Sequence, residues 1–350
     1  MSAVRIGFVG VGSMGQNAHL KNYVTIPDCE IVAIAEVRQD LARKVAAKYG
    51  VPKVYKDHEE MFASEKLDGI VSAQPFTRHG TIIPELLKQR VPLLTEKPLA
   101  GSIEIGEKIL DALKENESFY MVGYHKRSDP ATMYAKQVID EWKQTGKMGK
   151  MRYVRILIPS GDWVAEGFND LILTSEDYPS LQWDAPAKDM DKETNDQYIS
   201  FVNYYIHQIN LMRHLLGESY HVVYADKSGV LLAIESESGI SGAIEMTPYR
   251  TTLDWKESFL VGFENGFIQV ELPAPLACNR PGKVEIFEDP GNQSAPLTSI
   301  PTLPWVHAMR QQAVNFVSAI KGERKPLCDA SEALEDLKNA REYIRLFCGK

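Results

Sequence analysis

Through the first 125 residues, short runs of consecutive apolar side chains alternate with stretches whose apolar positions recur at helical spacing. The runs are "RIGFVGVG", "EIVAIAEV", "LDGIVSAQP", "VPLLTEKP" and "SFYMVGYH"; the helical stretches are "VRQDLARKVAAKYG", "GTIIPELLKQR" and "IEIGEKILDALKEN". A strand that is apolar on both faces has to be covered on both faces. The alternation therefore predicts a parallel sheet between two layers of helix. Gly50 closes the first helix, and Pro84 is expected near the start of its own, where a missing N–H is cheap.

From about residue 151 the pattern changes. "MRYVRILIPSG" alternates like a half-exposed strand. Residues 160 to 198 have no firm period and mix aromatic with acidic side chains, as in long irregular segments that cover or line sites. A helix is expected over roughly 197 to 216, closed by Gly217. "HVVYADKS", "GVLLAIESES", "GISGAIEMTPY", "KESFLVGFENG", "GFIQVELP" and "KVEIFEDP" then follow with no helix between them. Strands joined by short turns predict an antiparallel sheet. Two helices end the chain. Met309, Ala313, Phe316, Val317 and Ile320 form the stripe of the first, and Leu334, Leu337 and Ile344 that of the second.

A chain of 350 residues exceeds a typical single domain, so two are expected. The net charge of -8 speaks against a nucleic-acid partner, which wants a basic face. No apolar run approaches the roughly 20 residues that span a bilayer, and "MSAVRIGFVGVGSMG" lacks the basic segment and apolar core of a signal peptide. Cys29, Cys278, Cys328 and Cys348 lie far apart with no CxxC spacing. A cytoplasmic protein with reduced thiols and no metal site is the expectation.

The first candidate chemistry is Gly10-Val11-Gly12-Ser13-Met14-Gly15, a G-x-G-x-x-G run. Alone it is weak. Here it follows a strand and opens a helical segment, and Glu36 ends the second strand about 20 residues further on, the context that makes it a dinucleotide fingerprint. Glycines permit close backbone approach to a pyrophosphate, and the helix N-terminus offers unsatisfied N–H groups. Glu36 would bind the adenosine ribose and favours NAD, whereas Arg38 could accept a 2′-phosphate and keeps NADP open. The expected class is α/β: a doubly wound Rossmann domain over 1–125, then an α+β domain over 126–330 with a large, open, mostly antiparallel sheet. A last helix, 331–350, is expected to pack back near the first domain. Pro75 and Phe76 are expected to shape the loop under the cofactor, with His79 near its nicotinamide or ribose and Glu96 beside it.

With a Rossmann domain, "TEKPLA" after the fourth strand and a helical histidine before an antiparallel sheet, the chain resembles the Gfo/Idh/MocA oxidoreductases over essentially its whole length. Glu96-Lys97-Pro98 is the most specific element. "GYHKRSDP" and "HQINLMRHLLG" are similar to the family's domain-junction and catalytic-helix patterns. The resemblance implies that Lys97 points at the reacting hydroxyl or carbonyl of a sugar-like substrate and that His207 acts as acid and base. An aspartate often stands four residues before that histidine. Here it is Asn203, which cannot take a proton, although its amide can bond hydroxyls.

Oxidising a secondary alcohol removes a hydride from carbon and a proton from oxygen. An imidazole suits the proton, and an ammonium stabilises the developing alkoxide. Tyr124, His125, Lys126 and Arg127 are expected near a polar substrate, with Arg127 equally suited to an interdomain salt bridge. On the later helix Asn203, Tyr204 and His207 share the expected substrate face with Asn210. Trp163, Tyr178 and Trp183 offer faces for stacking on a sugar ring, or simply pack their loop, and Asp162 and Asp184 offer carboxylates to hydroxyls. The expected activity is NAD-dependent oxidation of a ring hydroxyl of a sugar, glycoside or cyclitol, with glycoside 3-oxidation one form of it. A silent dinucleotide-binding sensor and a glycosidase using transient oxidation are the alternatives. Apolar alternation in the later strands predicts a homodimer or homotetramer through the sheet.

Overall fold

The computed structural model describes residues 3–291 and 295–349. Two compact units form, and neither is continuous in sequence. The first holds residues 1–124, 167–203 and 312–337; the second holds 125–166, 204–311 and 338–350. Helices near the chain's end and the long irregular segment thus cross between units, so chain order and unit membership differ.

The first unit is built on a six-stranded parallel sheet of order β3-β2-β1-β4-β5-β6. Its strands are β1 (Val4–Val9), β2 (Cys29–Ala35), β3 (Val54–Tyr55), β4 (Gly69–Ser72), β5 (Leu93–Glu96) and β6 (Tyr120–Gly123). A π-helical turn at Gly15–Leu20 runs into α1 (Lys21–Tyr23); α2 (Gln39–Tyr49), α3 (His58–Ser64), α4 (His79–Leu87) and α5 (Ile103–Lys114) follow. Strands β1, β4, β5 and β6 are almost wholly buried, as continuous apolar runs require. Phe8 meets Tyr23 edge to face at 5.4 Å, and Phe316 from α8 (Ala308–Ile320) completes the cluster. The short β3 and α3 escape a periodicity reading because neither is long enough to show a period.

Pro84 lies inside α4, not at its start. It cannot donate to the carbonyl of Gly80 four residues earlier. Lys108 of α5 supplies the missing donor, its Nζ 3.3 Å from the Gly80 oxygen. At the first turns of α9 (Ala330–Cys348), Leu334 and Leu337 pack on Gly106 of α5, where an added Cβ would sit 2.8 Å from Leu334 Cδ1.

The second unit is built on an eight-stranded sheet of order β14-β13-β12-β11-β7-β10-β9-β8. Its strands are β7 (Met151–Ser160), β8 (Tyr220–Ala225), β9 (Leu231–Ser236), β10 (Ser241–Arg250), β11 (Glu257–Phe263), β12 (Gly266–Leu272), β13 (Lys283–Glu288) and β14 (Leu297–Ser299). Neighbours are antiparallel except β7 and β10, which pair in parallel. One face is covered by α6 (Pro130–Thr145), whose Trp142 meets Phe263 at 5.1 Å, and by α7 (Lys192–Leu216), whose Met212 packs on Gly242. The other face carries Phe267 stacked on Phe287 and the Arg155–Glu245 pair. Helix α7 spans Lys192–Leu216, starting earlier than its apolar pattern indicates because its first turns are polar.

Candidate functional site

The glycine loop leaves β1 at Gly10, whose φ of +91° is open to glycine and strained for other residues. A Cβ there would lie 2.4 Å from Gln74 Nε2 and 2.8 Å from the Ala73 oxygen. One at Gly15 would lie 2.5 Å from the Gly10 oxygen. These two glycines are demanded by the turn itself. Gly12 is not: a Cβ would make ordinary contact with Arg38 Nη2, 3.6 Å away. Gly12 and Met14 are half-buried and Ser13 is exposed, so the loop keeps surface to offer a pyrophosphate. The donor set fits a dinucleotide.

Glu36, buried at the end of β2, accepts from Val11 N–H at 3.0 Å and from Arg38 N–H and Nε at 3.1 and 3.0 Å. Its carboxylate holds the glycine loop and neutralises Arg38. Pro75 is exposed and Phe76 half-buried at the carboxyl end of β4, on the edge where such sheets bind ligands. His79 is a correction. Its ring is 0% exposed and has no surface to offer a ligand. Its Nδ1 pairs with the Leu99 oxygen at 3.0 Å, and burial pushes its pKa down against the pull of the Leu99 and Gln74 carbonyls. It braces the turn that follows Lys97.

That turn ends β5. Glu96 is buried and pairs with His19 Nε2 at 2.6 Å. Burial alone would push its carboxyl up, but the bond to His19 and the charges of His19 and Lys97 outweigh it and hold it below the ordinary range. His19 was not singled out from sequence. Its signal is its place four residues after Gly15, one turn into the helical segment. Half-buried Lys97 donates from Nζ to the carbonyl oxygen of Asn203 at 2.6 Å. Asn203 belongs to α7, which carries His207 one turn later.

In the second unit His207 is half-buried and its ring meets that of His125 edge to face, centroids 4.5 Å apart. Asn203 is exposed, but Asn210 is fully buried and accepts from Arg127 Nε at 2.7 Å. Arg127, at 2% exposure, and Tyr124, also at 2%, have almost no surface for a substrate. Lys126 is turned inward as well. It pairs with the buried Glu257, which also accepts from Gln208 at 2.7 Å and Trp255 Nε1 at 3.1 Å. The junction run expected to touch substrate is therefore largely a buried polar framework behind His125. Tyr204 stays half-buried beside Tyr205, its hydroxyl pushed up to about 12 by burial, Tyr205 and Glu257. Tyr205 bonds Thr247 at 2.7 Å, a β-branched residue at φ 50° where β10 is bulged. Such strain persists only where surroundings enforce it.

The irregular segment divides. Trp163 is partly exposed in the second unit, its carbonyl bonded to Leu276 N–H, and Asp162 caps its own turn through Val164 and Ala165. From residue 167 the chain lies along the first unit. Ile172 exchanges two hydrogen bonds with Gln16, Tyr178 lies against Arg38, and Trp183 against Arg78. Asp184, expected among the sugar-binding groups, instead caps α4 through Gly80 N–H at 2.8 Å and Thr81 at 3.0 Å. Among the described residues no group of His, Cys, Asp and Glu could hold a metal ion, and no helix is long and apolar enough to cross a membrane.

A parallel sheet with a glycine loop after β1 and Glu-Lys-Pro at the end of β5 defines the class: a dinucleotide-binding Rossmann unit. Residues 4–124 match the family described as "Oxidoreductase family, NAD-binding Rossmann fold". Inositol 2-dehydrogenase of Rhizobium meliloti is 25% identical over 356 residues, covering 98% of this chain and 96% of that one. Myo-inositol 2-dehydrogenase of Thermotoga maritima is 25% identical over 69% of this chain, and the match spans 63% of its length. In fold, levoglucosan dehydrogenase in complex with NADH superposes with a TM-score of 0.74, at 16% identity over 99% of this chain and 98% of that one. Residues 4–124 are thus similar to the NAD-binding part of the Gfo/Idh/MocA oxidoreductases, and NAD is the cofactor that this match supports.

Proposed function

We propose that the protein is an NAD-dependent dehydrogenase that oxidises a ring hydroxyl of a cyclitol or pyranose to a ketone. Bound NAD supplies the hydride acceptor. His207 takes the hydroxyl proton, and the Lys97 ammonium stabilises the alkoxide that forms as the proton leaves. Asn203 and Tyr204 bond neighbouring hydroxyls, and His125 backs the His207 ring. The observation that carries this reading is the seat of Lys97: the carboxyl end of β5, tied to the α7 carbonyl one turn before His207. A regulatory protein without turnover has no need of an ammonium so placed.

The names of the relatives favour inositols first and anhydro or free pyranoses second. The irregular segment gives a bulky glycoside no support, because its Tyr178, Trp183 and Asp184 are used within the first unit. Glycoside 3-oxidation is the variant of the same chemistry that a glycoside substrate would reveal. The face of the second sheet bearing Tyr153, Leu157, Leu260, Phe267 and Phe287 is the surface through which we expect two or four copies to associate. A panel of inositols, pyranoses and glycosides, followed by NADH absorbance with NAD and with NADP, tests the reading. Stoichiometric NADH with one class of polyol supports it, and glycoside cleavage without NADH overturns it.

A further inference from the structure

Helix α2 begins beside the adenosine end of the nucleotide site. Arg38, its N-cap residue, makes no side-chain cap. The cap comes instead from a residue remote in sequence: Glu176 accepts from Asp40 N–H at 3.0 Å and Leu41 N–H at 2.9 Å. Thr174 Oγ1 donates to the same carboxylate at 3.2 Å, and the next aromatic, Tyr178, lies 4.8 Å from the Arg38 guanidinium. Arg38 is held on its other side by Glu36 at 3.0 Å.

A 2′-phosphate on the adenosine ribose needs positive charge and free donors at this place. The chain has both, in Arg38 and the first amides of α2, and fills both with its own carboxylates. We propose that Glu176 determines coenzyme choice. It occupies the anion seat at the start of α2 and, with Glu36, sets a second negative charge beside the ribose, so that a diol is accepted and a 2′-phosphate rejected. This rests on the dinucleotide reading of the glycine loop and extends it to a residue 140 positions further along the chain than Glu36. The long segment over 167–189 thereby belongs to the nucleotide site, through Ile172 on Gln16, Glu176 on α2 and Asp184 on α4.

The full chain and its Glu176→Gln and Glu176→Ala variants are titrated with NADH and with NADPH by nicotinamide fluorescence, with circular dichroism to verify folding. Gln keeps the volume and one acceptor, so it separates loss of charge from loss of docking. Wild-type protein is expected to prefer NADH. In both variants NADPH is expected to bind about tenfold tighter, with NADH affinity changed by less than about threefold, because a like-charge contact has been removed from one ligand only. Wild-type protein that binds NADH, with variants that show no gain for NADPH relative to NADH, overturns the assignment of Glu176 alone. Wild-type protein that binds neither nucleotide overturns the cofactor reading together with it.

Discussion

His125 and His207 form a two-imidazole contact, ring centroids 4.5 Å apart and planes at 74°. One ring comes from the turn after β6 and the other from α7, so loop and helix fix each other's side chain. His125→Phe keeps an aromatic edge against His207 and removes only the imidazole nitrogens, so kcat is expected to fall about tenfold. His207→Ala should lose roughly a thousandfold in kcat, the ordinary worth of a positioned general base. Steady-state rates check both; a His125→Phe variant as fast as wild type would show that His207 does not depend on the neighbouring ring.

Lys97 makes a separable contribution. Lys97→Ala should lower kcat by about a hundredfold or more, the cost of removing one donor aimed at a developing oxyanion. NADH binding should persist, because the glycine loop and Glu36 are untouched. Lys97→Met keeps the stem and should be equally slow. Fluorescence titration of NADH beside steady-state rates checks both halves; a variant that loses NADH binding as well would make Lys97 a cofactor ligand first.

How much of this was legible in the sequence depends on the range of each interaction. The glycine loop could be read because its geometry is local: Gly10 and Gly15 are required by atoms of the same turn and of the adjacent strand. The ends of β2 and β5 could be read for the same reason, and Glu36 and Lys97 follow from them. The docking of residues 167–189 could not, since its partners on α2 and α4 lie more than 100 residues away and the segment has no period. Nor could the inward turn of Lys126. A lysine in a polar run reads as exposed, and only Glu257, 131 residues on, explains its burial. Asn210 reads as part of the His207 face by helical spacing, yet it is fully buried, where it accepts from Arg127.

The His19–Glu96 pair sets an acid limit on stability. Its folded carboxyl lies below the ordinary value of 4.5, chiefly through His19 against the cost of burial. A depressed carboxyl contributes stability that is complete above the ordinary value and is lost as pH falls through the folded one. In His19→Gln burial is no longer outweighed and the carboxyl rises. Stability should then fall as pH increases through the carboxylate range, the opposite slope. At neutral pH the variant should be less stable by about 3 kcal/mol, the penalty for leaving a buried charge without its partner. Urea midpoints between pH 4 and 8 for both proteins decide it; parallel curves would remove the pair from this role.

The buried Lys126–Glu257 pair should behave as a framework and not as a reacting group. Glu257 is 1% exposed and Lys126 4%, so neither charge reaches solvent, and Gln208 and Trp255 complete the carboxylate's shell. Lys126→Met removes the cation and leaves the buried Glu257 carboxylate with Gln208 and Trp255 as its remaining donors, with an expected loss of about 3–5 kcal/mol. The double variant Lys126→Met, Glu257→Gln restores neutrality and keeps an acceptor for Gln208 and Trp255. It should recover more than half of that loss, so the two changes are strongly non-additive. Guanidinium unfolding of wild type, both single variants and the double variant measures the coupling. If the losses of the two single variants simply add in the double, the pair is not what holds β11 to the turn before α6.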